Sequence, residues 1–138
     1  METQLIVLPT EQVHRYWHHA EPLLAKAIDK GHDEFTLDNL EYACSQGQQQ
    51  LLLVMNNGIC ECALTVIFYN YPKYRSCYIT YIGGKNTKDG WDKFKQWVKD
   101  NGADRICGSA ASESIVKLWN KYYGFKPVYT YVQLKLED

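Results

Sequence analysis

Residues Cys77 to Phe125 read CYITYIGGKNTKDGWDKFKQWVKDNGADRICGSAASESIVKLWNKYYGF. An apolar run from Arg75 to Ile82 predicts a strand. It enters the polar loop Gly83 to Gly90, and a helix follows from about Asp89 to Asn101. Trp91, Phe94, Trp97 and Val98 recur on one face of that helix, and Gly102 stops it. Asp104 to Ser109 reads as a second strand. Ser112 or Ser114 opens another helix, with Ile115, Leu118, Trp119 and Tyr122 as its buried stripe and Gly124 as its end. Val128 to Leu136 then reads as a closing strand. A strand–helix–strand unit repeated in this way predicts two crossovers, of the kind that lay strands side by side in parallel.

The upstream half predicts a different arrangement. Gln4 to Leu8 is a short strand stopped by Pro9. Thr10 is the expected N-cap of a helix through about Asp29, with Val13, Trp17, Ala20, Leu24, Ala27 and Ile28 at helical spacing. Pro22 inside that pattern predicts a kink or two short helices. Lys30-Gly31-His32-Asp33 is a loop. Thr36 caps a second helix, striped by Leu37, Leu40 and Cys44 and ended by Gly47. Gln50 to Met55 and Ile59 to Tyr69 are strands joined by Asn56-Asn57-Gly58, since Asn-Gly tolerates the positive φ of tight hairpins. Tyr71-Pro72-Lys73 breaks the chain before the strand at Arg75. The expected fold class is therefore α/β in the α+β sense, one unit over residues 1–138. It has a mixed sheet, an antiparallel meander followed by two parallel strand–helix crossovers, and helices on both faces.

Composition narrows the function classes. The chain has 138 residues, and apolar side chains make up 46%, too many for a disordered chain. Fifteen basic and sixteen acidic residues leave a net charge of -1, which argues against a nucleic-acid-binding surface. Five scattered cysteines make a poor disulfide framework and read as buried thiols of a reducing compartment. The N-terminus lacks the cationic start and long apolar stretch of a signal peptide, and no run reaches the ~20 apolar residues of a membrane helix. A cytoplasmic protein is the expectation.

The element order, the Gly83-Gly84 entry to a polar loop, and the last helix ending in Gly124-Phe125 resemble the GCN5-related N-acetyltransferase (GNAT) superfamily. A narrower similarity is to small acetyltransferase-like proteins of tailed bacteriophages. It rests on Trp17 with Glu21-Pro22-Leu23-Leu24, Gln46-Gly47 before Gln50-Leu51, Tyr71-Pro72, Gly83-Gly84, and Trp97 before Gly102. The resemblance implies acetyl-CoA as cofactor, cradled at Ile82, Gly83, Gly84, Lys85, Thr87, Lys88 and Gly90. It implies a general base on the meander, for which Glu61 is the candidate. It also implies a tyrosine acid on the last helix. Counting back from Gly124 puts Asn120 at that tyrosine's position and Glu113 at the position of the family's asparagine, so Tyr122 is the nearest candidate acid. The phage similarity implies a binding role among virion assembly or ejection proteins, in a host cytoplasm or within the virion. The superfamily similarity implies an active N-acyltransferase. The loop, Asn120 and Glu113 all depart from the family's active pattern, so the expectation is a degenerate acetyl-CoA site in a non-catalytic binding protein, with the active N-acyltransferase as the alternative.

Other clusters read more simply. His14 and His18 are spaced for a shared metal on a helix, yet they lack partner ligands and read as surface histidines. Cys60 and Cys62 are expected on one strand face as core thiols, so no metal site is expected. Tyr69, Tyr71, Tyr74, Tyr78 and Tyr81, interleaved with Lys73 and Arg75, predict a protein interface, where tyrosine and arginine are enriched.

Overall fold

The computed structural model describes residues 3–31 and 34–137. Asn57 and Gly58 both adopt positive φ, 55° and 76°. Such a two-residue turn matches the twist of the strands that it joins, here β2 (Gln50–Asn56) and β3 (Ile59–Asn70). β3 returns through Tyr71 to Tyr74 into β4 (Arg75–Gly84). β1 (Thr3–Val7) pairs antiparallel with β2, and β5 (Arg105–Gly108) runs parallel to β4. The sheet order is β1-β2-β3-β4-β5. The meander and the first crossover are thus as the sequence predicts, in a mixed α+β fold.

Helices cover both faces. α1 (Val13–Asp29) and α2 (Leu37–Ser45) pack on one face through Val13, Trp17, Ala20, Leu24, Leu40 and Cys44, against Leu51, Leu53 and Ala63. α3 (Lys88–Asp100) packs on the other through Trp91, Phe94 and Val98, against Leu52, Val54, Cys62, Leu64 and Val66. Each fully buried valine, leucine or phenylalanine among them contributes roughly 1.5–3 kcal/mol. α1 is one helix with Pro22 inside it, not two. Trp17, Ala20 and Leu24, buried on either side of Pro22, hold both halves against the sheet.

The caps differ in detail from expectation. Thr36 forms a full capping box with Asn39. Thr10 caps nothing: it begins a short 3-10 turn, and its hydroxyl donates to Glu11. α3 begins a residue earlier than expected and is capped by Thr87, which accepts the Gly90 N–H at 3.2 Å. The loop expected at Lys30 to Asp33 lies partly outside the described residues.

Two β-bulges break the simple alternation. Between β2 and β3 the pairing jumps from Val54↔Cys62 to Met55↔Cys60, leaving Glu61 as the extra residue. Between β3 and β4 it jumps from Thr65↔Tyr81 to Val66↔Ile79, leaving Thr80 extra. The first bulge corrects one expectation. Cys60 packs with the α1–α2 cluster and Cys62 with the α3 cluster, so the two thiols face opposite ways.

The C-terminal part departs furthest. α4 (Glu113–Tyr123) is capped by Ser112 and ends at Gly124 in the left-handed conformation, yet none of its residues is buried. Residues 126–137 form no strand and lie exposed, so the strand expected at Val128 to Leu136, and with it the second crossover, is not part of the sheet. The two corrections share a cause. The expected stripe of Ile115, Leu118, Trp119 and Tyr122 has no sixth strand against which to pack, and Leu118 and Tyr122 stay exposed.

Candidate functional site: a fork between two parallel strands

β4 outruns its parallel neighbour. Its ladder with β5 spans Ser76↔Arg105 to Ile79↔Gly108 and stops there. On its other side β4 stays paired with β3 out to Gly84. From Thr80 to Gly84, the β4 edge toward β5 therefore carries backbone N–H and C=O groups with no strand partner among the described residues. Such an edge takes up an extended chain that bears amides.

Polar side chains fix the base of this fork. The bulged Thr80 hydroxyl lies 2.9 Å from the Thr65 carbonyl and 2.6 Å from the Thr65 hydroxyl, and it also bonds the Gln49 side-chain carbonyl. Gln49 and Thr65 are buried, so the network anchors the bulge to the neighbouring strands. The Tyr78 and Ser109 hydroxyls are hydrogen bonded across the base. Sequence reasoning missed Gln49, Thr65, Thr80 and Ser109, and took Tyr78 only as part of an interface. The only signal was polar threonines inside the apolar runs Ala63 to Ile67 and Cys77 to Ile82.

The far end of the fork leads into α3. The Thr87 side chain takes the Gly90 N–H, and the Thr87 carbonyl takes that of Trp91. The N–H groups of Lys88 and Asp89 remain at the positive end of the helix. Lys85 and Lys88 are exposed there. Lys88 Nζ sits 3.0 Å from Asp92, whose carboxyl is held below the usual range first by that hydrogen bond. Asp89 places one further carboxylate in the first turn.

The glycines expected to face a cofactor serve packing. A Cβ on Gly83 would lie 2.1 Å from the Leu23 carbonyl oxygen of α1. One on Gly84, which has φ 96°, would lie 2.1 Å from the Glu61 carbonyl oxygen. One on Gly90 would meet Val54 and Asn86 at 2.9 Å. The Ile82 side chain packs into the α3-side core, which leaves only its backbone to the fork.

The candidate catalytic side chains are not brought together. Glu61 accepts from Asn56 Nδ2 at 3.2 Å, and its carbonyl accepts from the Lys85 N–H at 2.8 Å. That places it beside Gly84, about 13 Å from Thr80 at ~3.3 Å per strand residue. Tyr122 is exposed, with Lys121 over its ring. Tyr123 instead packs on Trp91, with ring centroids 5.0 Å apart. Asn120, at the tyrosine's expected position, donates to the Phe125 carbonyl at 2.7 Å and holds the end of α4.

The aromatic series splits. Tyr69, Tyr71, Tyr74 and Tyr78 form one cluster near the β3–β4 turn, with the Arg105 guanidinium 3.7 Å from the Tyr74 ring. Tyr81 lies apart, against Phe35. His14 is tied to Glu41 at 2.9 Å, and His18 packs on His19. Among the described residues, no group of three or more His, Cys, Asp or Glu side chains is arranged to hold a metal ion. None of the described helices is long and apolar enough to cross a membrane.

The arrangement fits an acyl-CoA by its donor chemistry. A free strand edge suits an arm containing amides. It leads directly to a helix N-terminus flanked by Lys85 and Lys88, which suits phosphates and offsets Asp89 and Glu61.

Comparison with solved structures bears on the fold. A predicted acetyltransferase from Clostridium acetobutylicum, solved with acetyl-CoA, is similar with TM-score 0.60 at 15% identity, over 97% of this chain and 96% of that one. A ribosomal-protein-alanine N-acetyltransferase from Brucella melitensis biovar Abortus 2308 gives 0.67 at 14%, over 97% and 100%. The aminoglycoside N-acetyltransferase AAC(6')-Iy in complex with CoA gives 0.69 at 9%, over 99% and 96%. No protein-family model matches the chain, and no curated protein sequence does. The fold is that of the GNAT acetyltransferases.

Proposed function

We propose that this chain binds acetyl-CoA, or an acyl-CoA of similar size, along the β4–β5 fork and passes the acyl group to an amine. One observation carries the reading: the unpaired β4 edge from Thr80 to Gly84 runs straight to the N-terminus of α3. Acetyl-CoA would supply the activated acyl group, as the ligand present in one of the similar structures. The chain's own residues would do the rest. The backbone of Thr80 to Gly84 aligns the amide arm. Lys85, Lys88 and the first N–H groups of α3 meet the phosphates. The Tyr78 and Ser109 hydroxyls stand at the base of the fork, where they can donate a proton to a leaving group. Glu61 as base and Tyr122 as acid are not needed by this reading. It is tested by calorimetric titration with acetyl-CoA and with CoA, for which it predicts micromolar dissociation constants. No heat at millimolar ligand would remove it.

A second reading is a protein-binding module, favoured by the exposed phenols of Tyr69 and Tyr71 beside Tyr74 and Arg105. A role among phage virion or ejection proteins rests on the sequence similarities alone.

A further inference from the structure

β1 is the first strand of the sheet and pairs only with β2, so its outer edge has no strand partner among the described residues. The Leu8 N–H bonds the Leu51 carbonyl. Bonding direction alternates along an antiparallel strand, so Val7, Leu5 and Thr3 turn their N–H and C=O groups to the open side. Natural edges are guarded by charge, proline, a bulge or shortness. β1 reads Thr3-Gln4-Leu5-Ile6-Val7, with no charged residue and no proline, and its register with β2 is unbroken. A groove of about 610 Å³ runs along this edge, between Thr3 to Ile6 on β1 and Lys93, Gln96, Trp97 and Asp100 on α3.

We propose that two copies of this chain pair β1 against β1, antiparallel about a two-fold axis at Leu5, so that their sheets run on as one and their α3 helices lie side by side. The inference does not depend on the acyl-CoA reading. Three observations select a second copy over a peptide of another protein.

The first is charge. α3 is the crossover from β4 to β5 and runs against β4, hence along β1 in the same direction. Lys93 therefore stands toward the Thr3 end of the groove and Asp100 toward the other. A two-fold axis reverses that order in the second copy, so Lys93 of each chain faces Asp100 of the other. Within the chain, Lys88 and Lys95 share Asp92, whereas neither Lys93 nor Asp100 has an ion-pair partner among the described residues. The surface is thus complementary to itself, as a two-fold interface requires.

The second is register. Pairing centred on Leu5 sets Leu5 against Leu5 and Thr3 against Val7. These are the residues whose backbone groups face the open side, so each N–H meets a carbonyl. No other centre within β1 pairs all three.

The third is apolar cover on both faces. Leu5 and Trp97 are half-buried on the α3 side, and Ile6 is 36% exposed on the other. Strands about 4.8 Å apart bring each Leu5 onto its copy beneath the two α3 helices, and each Ile6 beside the second copy's Gln4. The β4–β5 fork lies at the opposite edge of the sheet, so both forks stay open in the pair.

The test is light scattering on the full chain after size exclusion, together with charge exchange and disulfide trapping. The expected result is a species of twice the chain mass at low micromolar concentration. Lys93→Asp and Asp100→Lys, made singly, should each raise the dimer dissociation constant roughly tenfold or more by setting like charges together. K93D/D100K should restore it, because the exchanged charges again match. A hydrogen-bonded antiparallel pair sets its Cα atoms about 5.5 Å apart, within disulfide reach. Mild oxidation of Leu5→Cys should therefore give a covalent dimer linked at identical positions, whereas Thr3→Cys, set far from its own copy along the strand, should not. A monomer at every concentration would overturn the proposal and leave the edge to a peptide of another protein. So would a dimer indifferent to both single charge changes, one not restored by the double change, or Thr3→Cys linking as readily as Leu5→Cys. Lys93 and Asp100 are exposed on α3, so the charge variants decide the matter even if Leu5→Cys does not fold.

Discussion

Gly83 and Gly84 show how one residue type can signal the wrong thing. Glycines before a polar loop point, in sequence, to a phosphate cradle. In the structure their missing side chains let α1 and β3 approach the end of β4, with room for no Cβ beside Leu23 or Glu61. Gly83→Ala is therefore expected to cost about 1–3 kcal/mol through overpacking, seen as a lower urea midpoint. An unchanged midpoint would contradict the contact. The thiols make a second point at this scale. Burial, first, pushes Cys44, Cys62 and Cys77 up to about 12 from an ordinary value near 9. Their folded values lie above their unfolded ones, so their contribution is fully present below pH ~9 and is lost as pH rises toward 12. The slope is about 1.4 kcal/mol per pH unit for each thiol. Urea midpoints measured from pH 8 to 10.5 should fall steeply above 9, and a flat profile would show that the thiols are not buried.

At the scale of elements, the two bulges determine where the site lies, and Thr80 fixes the second. Thr80→Val would leave the Gln49 and Thr65 groups short of a partner, at about 1–3 kcal/mol. Thr80→Ser keeps the hydroxyl and should recover most of that stability in thermal unfolding. Equal loss in both variants would mean that the hydroxyl is idle. The elements themselves were legible. Asn57-Gly58 announced its hairpin, Thr36 its helix cap and Gly124 its helix stop, because each signal acts over a few residues. The bulges were not legible: one inserted residue leaves the apolar composition unchanged and only flips the faces beyond it, as Cys60 and Cys62 show. The fork, a product of the second bulge and the shortness of β5, was hidden for the same reason.

At the scale of the whole molecule, element order matched the fold class, and the strand expected at Val128 to Leu136 departed from it. Alternation in residues 128–136 specifies a strand without specifying which edge receives it. The buried face of α4 was misjudged on the same ground, since its stripe is defined by a neighbour that the chain does not place there. The sequence placed the loop from Lys85 to Gly90 ahead of α3, but the fork that would hold an acyl-CoA arm depends on contacts between β4, β5 and Gln49. Amide hydrogen exchange on the full chain, with and without acetyl-CoA, tests that fork most directly. The account predicts slowed exchange at those amides of Thr80 to Gly84 that are not tied to β3, and at Lys88 and Asp89. Unchanged exchange along β4 at saturating ligand, or slowing confined to another surface, would contradict it.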